Sequence, residues 1–177
     1  TLKTMRKRGT PFTGLLYVGL ALTSKGPKVV EFNARFGDPE TQAVLAMLKS
    51  PLAQILYAAA TGKLGKIKKL DWAKGSAVCV VVAAEGYPGT PKSGGTIVLP
   101  PDAKNAWVIQ AGTATNSAGE LVAKGGRVLN VVARGKHLTK ARKRAYRMID
   151  DIDFPDGFWR RDIARNAAQR EKESLGD

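Results

Sequence analysis

The hydrophobic pattern divides the chain into stretches of different period. Phe12–Leu22 is apolar with small residues interspersed and reads as a strand; Lys28–Phe36 reads as a second. The cluster Thr23-Ser24-Lys25-Gly26-Pro27 between them is turn chemistry, so the two runs predict a hairpin. Helical spacing follows. Val44, Met47 and Leu48 precede Pro51, and Leu52, Ile55, Leu56 and Ala59 follow it. Proline removes a backbone donor and clashes with the preceding turn, which predicts two helices or one broken near Ser50-Pro51. Gly62 and Gly65 end the helical region. Beyond a basic stretch, Lys63–Lys69, short apolar runs separated by glycine turns predict strands at Ala77–Ala84, Gly95–Leu99, Ala106–Ala111 and Arg127–Ala133. Thr139 reads as the cap of a helix running to about Asp151, with Ala141, Ala145, Met148, Ile149 and Ile152 on one face. The residues from Gly157 on read as a short helix and a fraying tail, pinned by Phe158, Trp159 and Ile163.

Composition narrows the classes. Of 177 residues, 44% are hydrophobic and 25% charged, which is ordinary globular usage and argues against disorder. The longest apolar run, Ala77–Ala84, falls well short of the roughly 18–20 residues that span a bilayer. No membrane association and no secretory signal peptide are expected. One cysteine, Cys79, excludes an internal disulfide framework and a cysteine-rich zinc site. It reads as inert core. One histidine, His137, excludes a histidine cluster and reads as exposed or as a local cap. Lys plus Arg number 29 against 15 Asp plus Glu, a net charge of +14, which favours anionic partners without choosing among them. The Lys140–Arg147 charges read as a solvated helix face. The chain opens on Thr1 in a basic, helix-like stretch to Gly9, and is expected to be a piece of something longer.

Candidate chemistry concentrates in Glu31-Phe32-Asn33-Ala34-Arg35-Phe36-Gly37-Asp38-Pro39-Glu40. Strand side chains alternate, so Glu31, Asn33 and Arg35 are expected on one face and Phe32, Ala34 and Phe36 on the other, core-facing one. Carboxylate and amide oxygens are hard ligands suited to magnesium or manganese. A guanidinium grips a phosphate or carboxylate with two hydrogen bonds. The helix expected after Asp38 adds backbone N–H groups and a positive dipole end. The plainer alternative is a wetted strand face with an incidental Glu–Arg pair.

The longer string EFNARFGDPETQ resembles the signature of the glycinamide ribonucleotide synthetase (phosphoribosylamine–glycine ligase) family of the ATP-grasp superfamily. FTGLLYVGLAL, GYPG at Gly86–Gly89, QAGT at Gln110–Thr113, GGRVLNVVARG at Gly125–Gly135 and KRAYRMIDDI at Lys143–Ile152 resemble the same family in the same order. The resemblance implies an α+β fold. Residues 1–66 would be the C-terminal part of an ATP-grasp core, a β-hairpin plus helices. Residues 67–177 would be the family's C-terminal domain, small, mostly antiparallel β, with a closing helix.

It also implies a ligase that activates glycine with ATP as a glycyl phosphate. Displacement by 5-phosphoribosylamine then gives glycinamide ribonucleotide, ADP and phosphate in de novo purine synthesis. By match to the motif, Glu31 and Asn33 are the metal ligands, for Mg2+ or Mn2+, that hold the phosphates of ATP. Arg35 would steady the transferring phosphoryl group or acyl phosphate. Gly37, Asp38 and Glu40 would meet substrate. Asp38 as a helix N-cap and Glu40 as a dipole partner stand beside those roles. Gly125 and Gly126 would allow close anion contact while Arg127 meets the ribose 5-phosphate, or the three form a hairpin turn with an exposed arginine. Gln110–Thr113 is a weaker candidate for the same cleft, and Tyr87-Pro88-Gly89 reads as a structural turn.

The family's amino-terminal domain, glycine-rich lid and adenine-binding lysines have no counterpart in this chain. The missing N-terminal part of the enzyme is therefore an expected partner, and the chain alone is expected to be inactive. The expected compartment is the cytoplasm, or an organellar stroma or matrix. Rival readings are another ATP-grasp ligase or carboxylase, a basic nucleic-acid-binding module, and a non-catalytic assembly module. The 7% aromatic content argues against the nucleic-acid reading, so no nucleic-acid partner is expected.

Overall fold

The computed structural model describes residues 1–176. In chain order the elements are α1 (Leu2–Lys7), β1 (Tyr17–Thr23), β2 (Gly26–Asn33), α2 (Glu40–Met47), α3 (Leu52–Ala60), a 3-10 turn (Leu64–Lys66), β3 (Ser76–Ala84), β4 (Ala106–Gln110), β5 (Thr113–Thr115), β6 (Leu121–Ala123), β7 (Arg127–Gly135), α4 (Leu138–Asp150), β8 (Gly157–Phe158) and α5 (Arg165–Leu175). The architecture is α+β, as expected, and all its sheets are antiparallel. Two compact units form: Thr1–Asp38 with Leu48–Ala73, and Pro39–Met47 with the residues from Lys74 on. No helix among the described residues is long and apolar enough to cross a membrane.

In the first unit β1 and β2 form the expected hairpin. Its two-residue loop is closed by Gly26 at φ +87°, and the Thr23 hydroxyl donates to the Gly26 carbonyl at 2.8 Å while accepting from Lys25 N–H. A bulge lies beyond Gly19, so Leu20 faces Val29 rather than Val30. Cross-strand pairs Val18–Phe32, Leu20–Val29 and Leu22–Pro27 result. This apolar face was expected to be core. It is not: Phe32 is 47% and Leu22 85% exposed, and Phe36 beyond the strand is 38% exposed. A two-stranded sheet has no second layer of its own, so an apolar face stays open unless another segment covers it. The helix pair around Pro51 forms as expected. A bridge between Leu48 and Trp72, with Asp71 N–H donating to Ser50 Oγ at 2.7 Å, ties the loop after the 3-10 turn to the start of α3.

The second unit is built on a four-stranded sheet in the order β4-β7-β3-β8. Period-two alternation in β3 sends Val78, Val80 and Val82 to one face, opposite Ala133, Val131 and Leu129 of β7. Ala141, Ala145, Met148 and Ile149 of α4 cover that face, and all these residues are buried. Each such side chain removed from water contributes ~1.5–3 kcal/mol if valine-sized or larger. The opposite face carries Cys79, Val81, Asn130 and Val132, and α2 lies against β3 and β7. Arg134 Nη1 donates to the Ala46 carbonyl near the end of α2 at 3.4 Å, where a cation complements the helix dipole. Its guanidinium lies 5.7 Å from the centre of the Trp107 ring.

Several expectations change here. Gly95–Leu99 is not a strand; it makes only single-residue bridges, Thr96–Val122 and Val98–Asp153. Cys79 is outside the core cluster and half-buried. The arginines of α4 are not simply solvated. Arg142 donates to the carbonyls of Ile163 (3.0 Å) and Arg161 (2.6 Å), and Arg144 to that of Arg134 (2.6 Å). The Tyr146 hydroxyl donates to the Arg160 carbonyl and accepts from Ile163 N–H. Together these bonds fasten the 160–163 segment, where two hydrogen bonds from Arg160 hold the Asp162 carboxyl below its ordinary range.

Thr139 is inside α4 rather than at its cap. His137 takes the N-cap position with no side-chain hydrogen bond. The cap comes from elsewhere: Glu171 of α5 accepts the Leu138 N–H at 2.5 Å with one oxygen and the Ser76 hydroxyl at 3.4 Å with the other. The short helix expected after Gly157 forms, with 11 residues, and in place of a fraying tail it is docked through buried Ala168 and an acidic cap on its neighbour. Glu171→Ala is expected to lower stability by ~1–2 kcal/mol, the usual cost of losing a cap. Glu171→Gln, which keeps an acceptor, should recover part of it. Urea unfolding midpoints at constant slope would check both values.

Candidate functional site

The candidate residues fall into the two units. In the first, β2 places Glu31 opposite Gly19 and Asn33 opposite Tyr17, so both side chains leave the strand on one face. Gly19 matters to that arrangement. A Cβ there would come within 3.1 Å of Glu31 Cγ, so the glycine leaves room for the Glu31 side chain to lie across the neighbouring strand. Glu31 is exposed and Asn33 half-buried. Asn33 Nδ2 is buried with no hydrogen-bond partner among the described residues. The fold therefore does not consume that amide nitrogen, and a buried amide left so is a group awaiting a partner.

Arg35 departs from the expected geometry. β2 ends at Asn33, so the alternation that joins Glu31 and Asn33 does not extend to Arg35. Arg35 is exposed in a bend and its Nη1 donates to the Phe36 carbonyl at 2.8 Å. Gly37 is buried and Asp38 exposed in the turn before α2. Helix α2 begins at Glu40 rather than Pro39, which puts Glu40 in its first turn, where a carboxylate favours the dipole.

The second unit brings three sequence motifs to one corner. Gly112 N–H donates to the Arg127 carbonyl (2.9 Å), and the Gly112 carbonyl accepts from Lys124 and Gly125 N–H (2.8 and 3.0 Å). Gln110–Thr113 therefore lies alongside Gly125–Arg127, with Gln110 Oε1 accepting from the Thr113 hydroxyl at 3.1 Å. The glycines have distinct reasons. A Cβ on Gly112 would meet Gly125 Cα at 2.8 Å, so two backbones touch there. A Cβ on Gly126 would meet Tyr87 Cδ2 at 2.4 Å, so Tyr87 packs on bare backbone. Arg127 opens β7 opposite Ala83 and is exposed. Gly112 lies in the Gln110–Thr113 run named as a weaker candidate, whereas Gly19 and Tyr87 were not expected at the site, although both stand inside quoted motifs, which was the available signal.

A divalent cation suits this donor set only in part. Glu31 and Asn33 offer a carboxylate and an amide, the right hard chemistry. Among the described residues no group of three or more His, Cys, Asp or Glu could hold a metal alone. Two protein donors fit Mg2+, which is commonly held by one or two protein ligands with phosphate oxygens and water filling the remaining positions.

The order and spacing of these motifs match known sequences. Residues 77–166 match the family model "Phosphoribosylglycinamide synthetase, C domain". Residues 1–41 match "Phosphoribosylglycinamide synthetase, ATP-grasp (A) domain". The chain belongs to the phosphoribosylglycinamide synthetase family. It is 54% identical over 173 residues to a phosphoribosylamine–glycine ligase of Streptomyces coelicolor, which covers 95% of this chain and 41% of that protein. It is 53% identical over 163 residues to the one from Mycobacterium bovis, covering 92% and 38%. Among solved structures, a phosphoribosylamine–glycine ligase from Thermotoga maritima superposes with a TM-score of 0.78 at 36% identity, over 90% of this chain and 39% of that one. The biotin carboxylase domain of Hydrogenobacter thermophilus 2-oxoglutarate carboxylase shares the fold, with a TM-score of 0.62 at 14% identity over 99% and 39%. The chain thus spans about 40% of the length of the phosphoribosylglycinamide synthetase relatives it matches.

Proposed function

We propose that this chain forms one wall of the active site of an ATP-dependent phosphoribosylamine–glycine ligase. The observation that carries the reading is the pair Glu31 and Asn33, which β2 sends to one strand face, apart from the apolar residues. Glu31 and Asn33 would hold Mg2+ or Mn2+ with the phosphates of ATP. When bound, the metal neutralises phosphate charge so that a carboxylate can approach. The anionic acceptor, glycine's carboxylate, attacks the γ-phosphorus to give glycyl phosphate and ADP. The amine of 5-phosphoribosylamine then attacks the acyl carbon and phosphate leaves.

Residues of this chain serve those steps by charge and position. Arg35, exposed beside the strand end, would reorient from the Phe36 carbonyl to steady the phosphoryl group. Gly37, Asp38 and Glu40 would border the substrates, with Asp38 receiving the amine. Arg127 would meet the ribose 5-phosphate beside Gly125 and Gly126, whose backbone is already drawn against Gly112. The rest of the longer enzyme would cover the open apolar face of the hairpin (Val18, Leu20, Phe32) and supply the opposite wall.

The decisive experiment is ADP formation by the longest natural polypeptide containing this segment, with magnesium, glycine and phosphoribosylamine generated in situ. ADP release requiring both substrates is expected; release indifferent to glycine would overturn the reading. The 177-residue chain alone is expected to release no glycine-dependent ADP above the blank, because the wall that closes over the phosphates is missing.

A further inference from the structure

Part of the chain's positive charge sits where helix physics disfavours it. A helix is stabilised by acidic residues in its first turn and basic ones in its last. Neither α4 nor α5 has an acidic residue in its first turn. Lys140 stands in the first turn of α4 and Arg165 opens α5, both against the dipole. Lys143 and Arg147 then add like charges one turn apart on α4. These cations do not serve the helices that carry them.

Packing gathers several of them around one groove. The two helices run antiparallel. Leu138 at the start of α4 meets Glu171 of α5, whereas Arg142 and Tyr146 meet residues 160–163 ahead of α5. A cleft of about 640 Å³ lies between them, lined by Lys143 and Arg147 of α4 and by Arg165 and Lys172 of α5. The side chains of Lys143, Arg147 and Lys172 are exposed and make no hydrogen bond or ion pair among the described residues. Arg165 donates only to the Arg161 carbonyl, at 3.4 Å. Asp150 is the one carboxylate in the lining, and it lies 3.5 Å from Arg161.

We propose that this groove binds a condensed phosphate, an anion of two or three linked phosphoryl groups. A cleft lined by one sign of charge concentrates counter-ions. Cations on both walls suit an anion that carries several charges on a short chain. Lys143 and Arg147 lie about 6 Å apart along the helix axis. A linked chain meets both without drawing the two like charges together, and guanidinium groups take phosphate oxygens in pairs. The size agrees with ordinary small-molecule pockets of about 300 to 1,000 Å³. A nucleoside adds little here. Tyr146 is the one aromatic ring in the lining; it is half-buried, the Arg142 guanidinium lies 4.6 Å from its centre, and its hydroxyl is bonded to the Arg160 carbonyl. A base therefore finds no ready stacking platform, and the ligand is the free condensed phosphate.

None of these residues belongs to the site proposed above. The 177-residue chain is titrated with tripolyphosphate and followed by phosphorus NMR, in EDTA so that no phosphate binds through a metal. Saturable binding is expected with Kd on the order of 0.1 mM. Lys143→Gln together with Lys172→Gln should weaken it by about tenfold or more, since two charge-assisted contacts are lost. Lys3→Gln with Lys7→Gln removes the same charge from an exposed pair on α1, and should change Kd by less than about twofold because distant exposed charges are screened. Equal weakening by the two pairs would overturn the groove and leave only net charge. Orthophosphate should bind about tenfold more weakly than tripolyphosphate; equal binding would overturn the need for a linked chain. ATP should bind no more tightly than tripolyphosphate, and clearly tighter ATP binding, lost in the groove pair, would overturn the free phosphate as source in favour of a nucleotide. An oligonucleotide or acidic peptide that outbinds tripolyphosphate, with the same loss, would overturn the small-ligand assignment. Arg127→Gln should leave binding unchanged; loss there would move the anion to the substrate corner and sink the proposal. No binding at about 1 mM, tenfold above that Kd, would do the same. ADP formation by the longer enzyme enters none of these readouts, so the two readings fail separately.

Discussion

Replacing Glu31 with alanine in the longest natural polypeptide that contains this chain is expected to lower glycine-dependent ADP formation by about 10²–10³-fold, the scale of losing one group that stabilises transition-state charge. The position explains the size. Glu31 and Asn33 are the two hard donors that β2 sends to one face, and Gly19 keeps the space over which Glu31 extends. Removing the carboxylate leaves one neutral amide, and two neighbouring phosphates then face an acyl acceptor with less positive charge between them. Glu31→Gln tests the charge separately from the shape: it keeps the oxygen and the size, so partial activity that rises with Mg2+ concentration is expected. The fold should survive both changes, since Glu31 is exposed on a hairpin. Unaltered circular dichroism with lost ADP release would support the metal role. Full activity in Glu31→Ala would remove it, and the pairing with Asn33 would then be an ordinary wetted strand face.

Much of the fold was legible because its longest elements carry clean periods. β3 and β7 are nine residues each, long enough for alternation to stand out, and the buried stripe of α4 recurs at helical spacing. The short pieces were not legible. β5 and β6 have three residues each and β8 two, too few to establish a period. Gly95–Leu99 misled in the opposite sense, since it alternates like a strand yet pairs through single bridges. Capping was hidden for another reason. Thr139 is a good capping type near the right place, but the acceptor for Leu138 N–H is Glu171, 33 positions along the chain. Local signals cannot show a cap supplied by tertiary docking.

The candidate site divides the same way. That Glu31 and Asn33 share a face followed from alternation alone. That the paired strand ends before Arg35 depends on where pairing with β1 stops, at the Tyr17–Asn33 pair. The exposure of Phe32 was not legible either: an apolar face predicts burial, but a two-stranded hairpin has no second layer of its own to provide it. The glycines of the Gly125–Arg127 corner show a third limit. Two adjacent glycines before an arginine suggest a backbone bared for an anion. In the structure one is pressed against Gly112 and the other against Tyr87, contacts that only the folded chain reveals.

Gly135→Ala is expected to be a severely damaging single-methyl change in the second unit, costing ~3 kcal/mol or more. Gly135 ends β7 and pairs with Ser76, immediately before the turn into α4. A Cβ there would stand 2.4 Å from Ala141 N, 2.8 Å from the His137 carbonyl oxygen and 2.9 Å from Lys140 C. All three are backbone atoms of the first turn of α4, so no side-chain rotation relieves the overlap. The helix must shift instead. That shift would pull Ala141 and Ala145, both fully buried, off the sheet, and would move Leu138 N–H away from Glu171. Gly26→Ala is the useful contrast: it has open space around the new methyl and strain only from its positive φ, so it should cost about 1 kcal/mol. Thermal unfolding of the two variants beside the parent would measure the difference, expected to be on the order of 10 °C for Gly135→Ala. Equal, small shifts in both would mean that α4 rides loosely on β7, and the packed corner described for this unit would then be wrong.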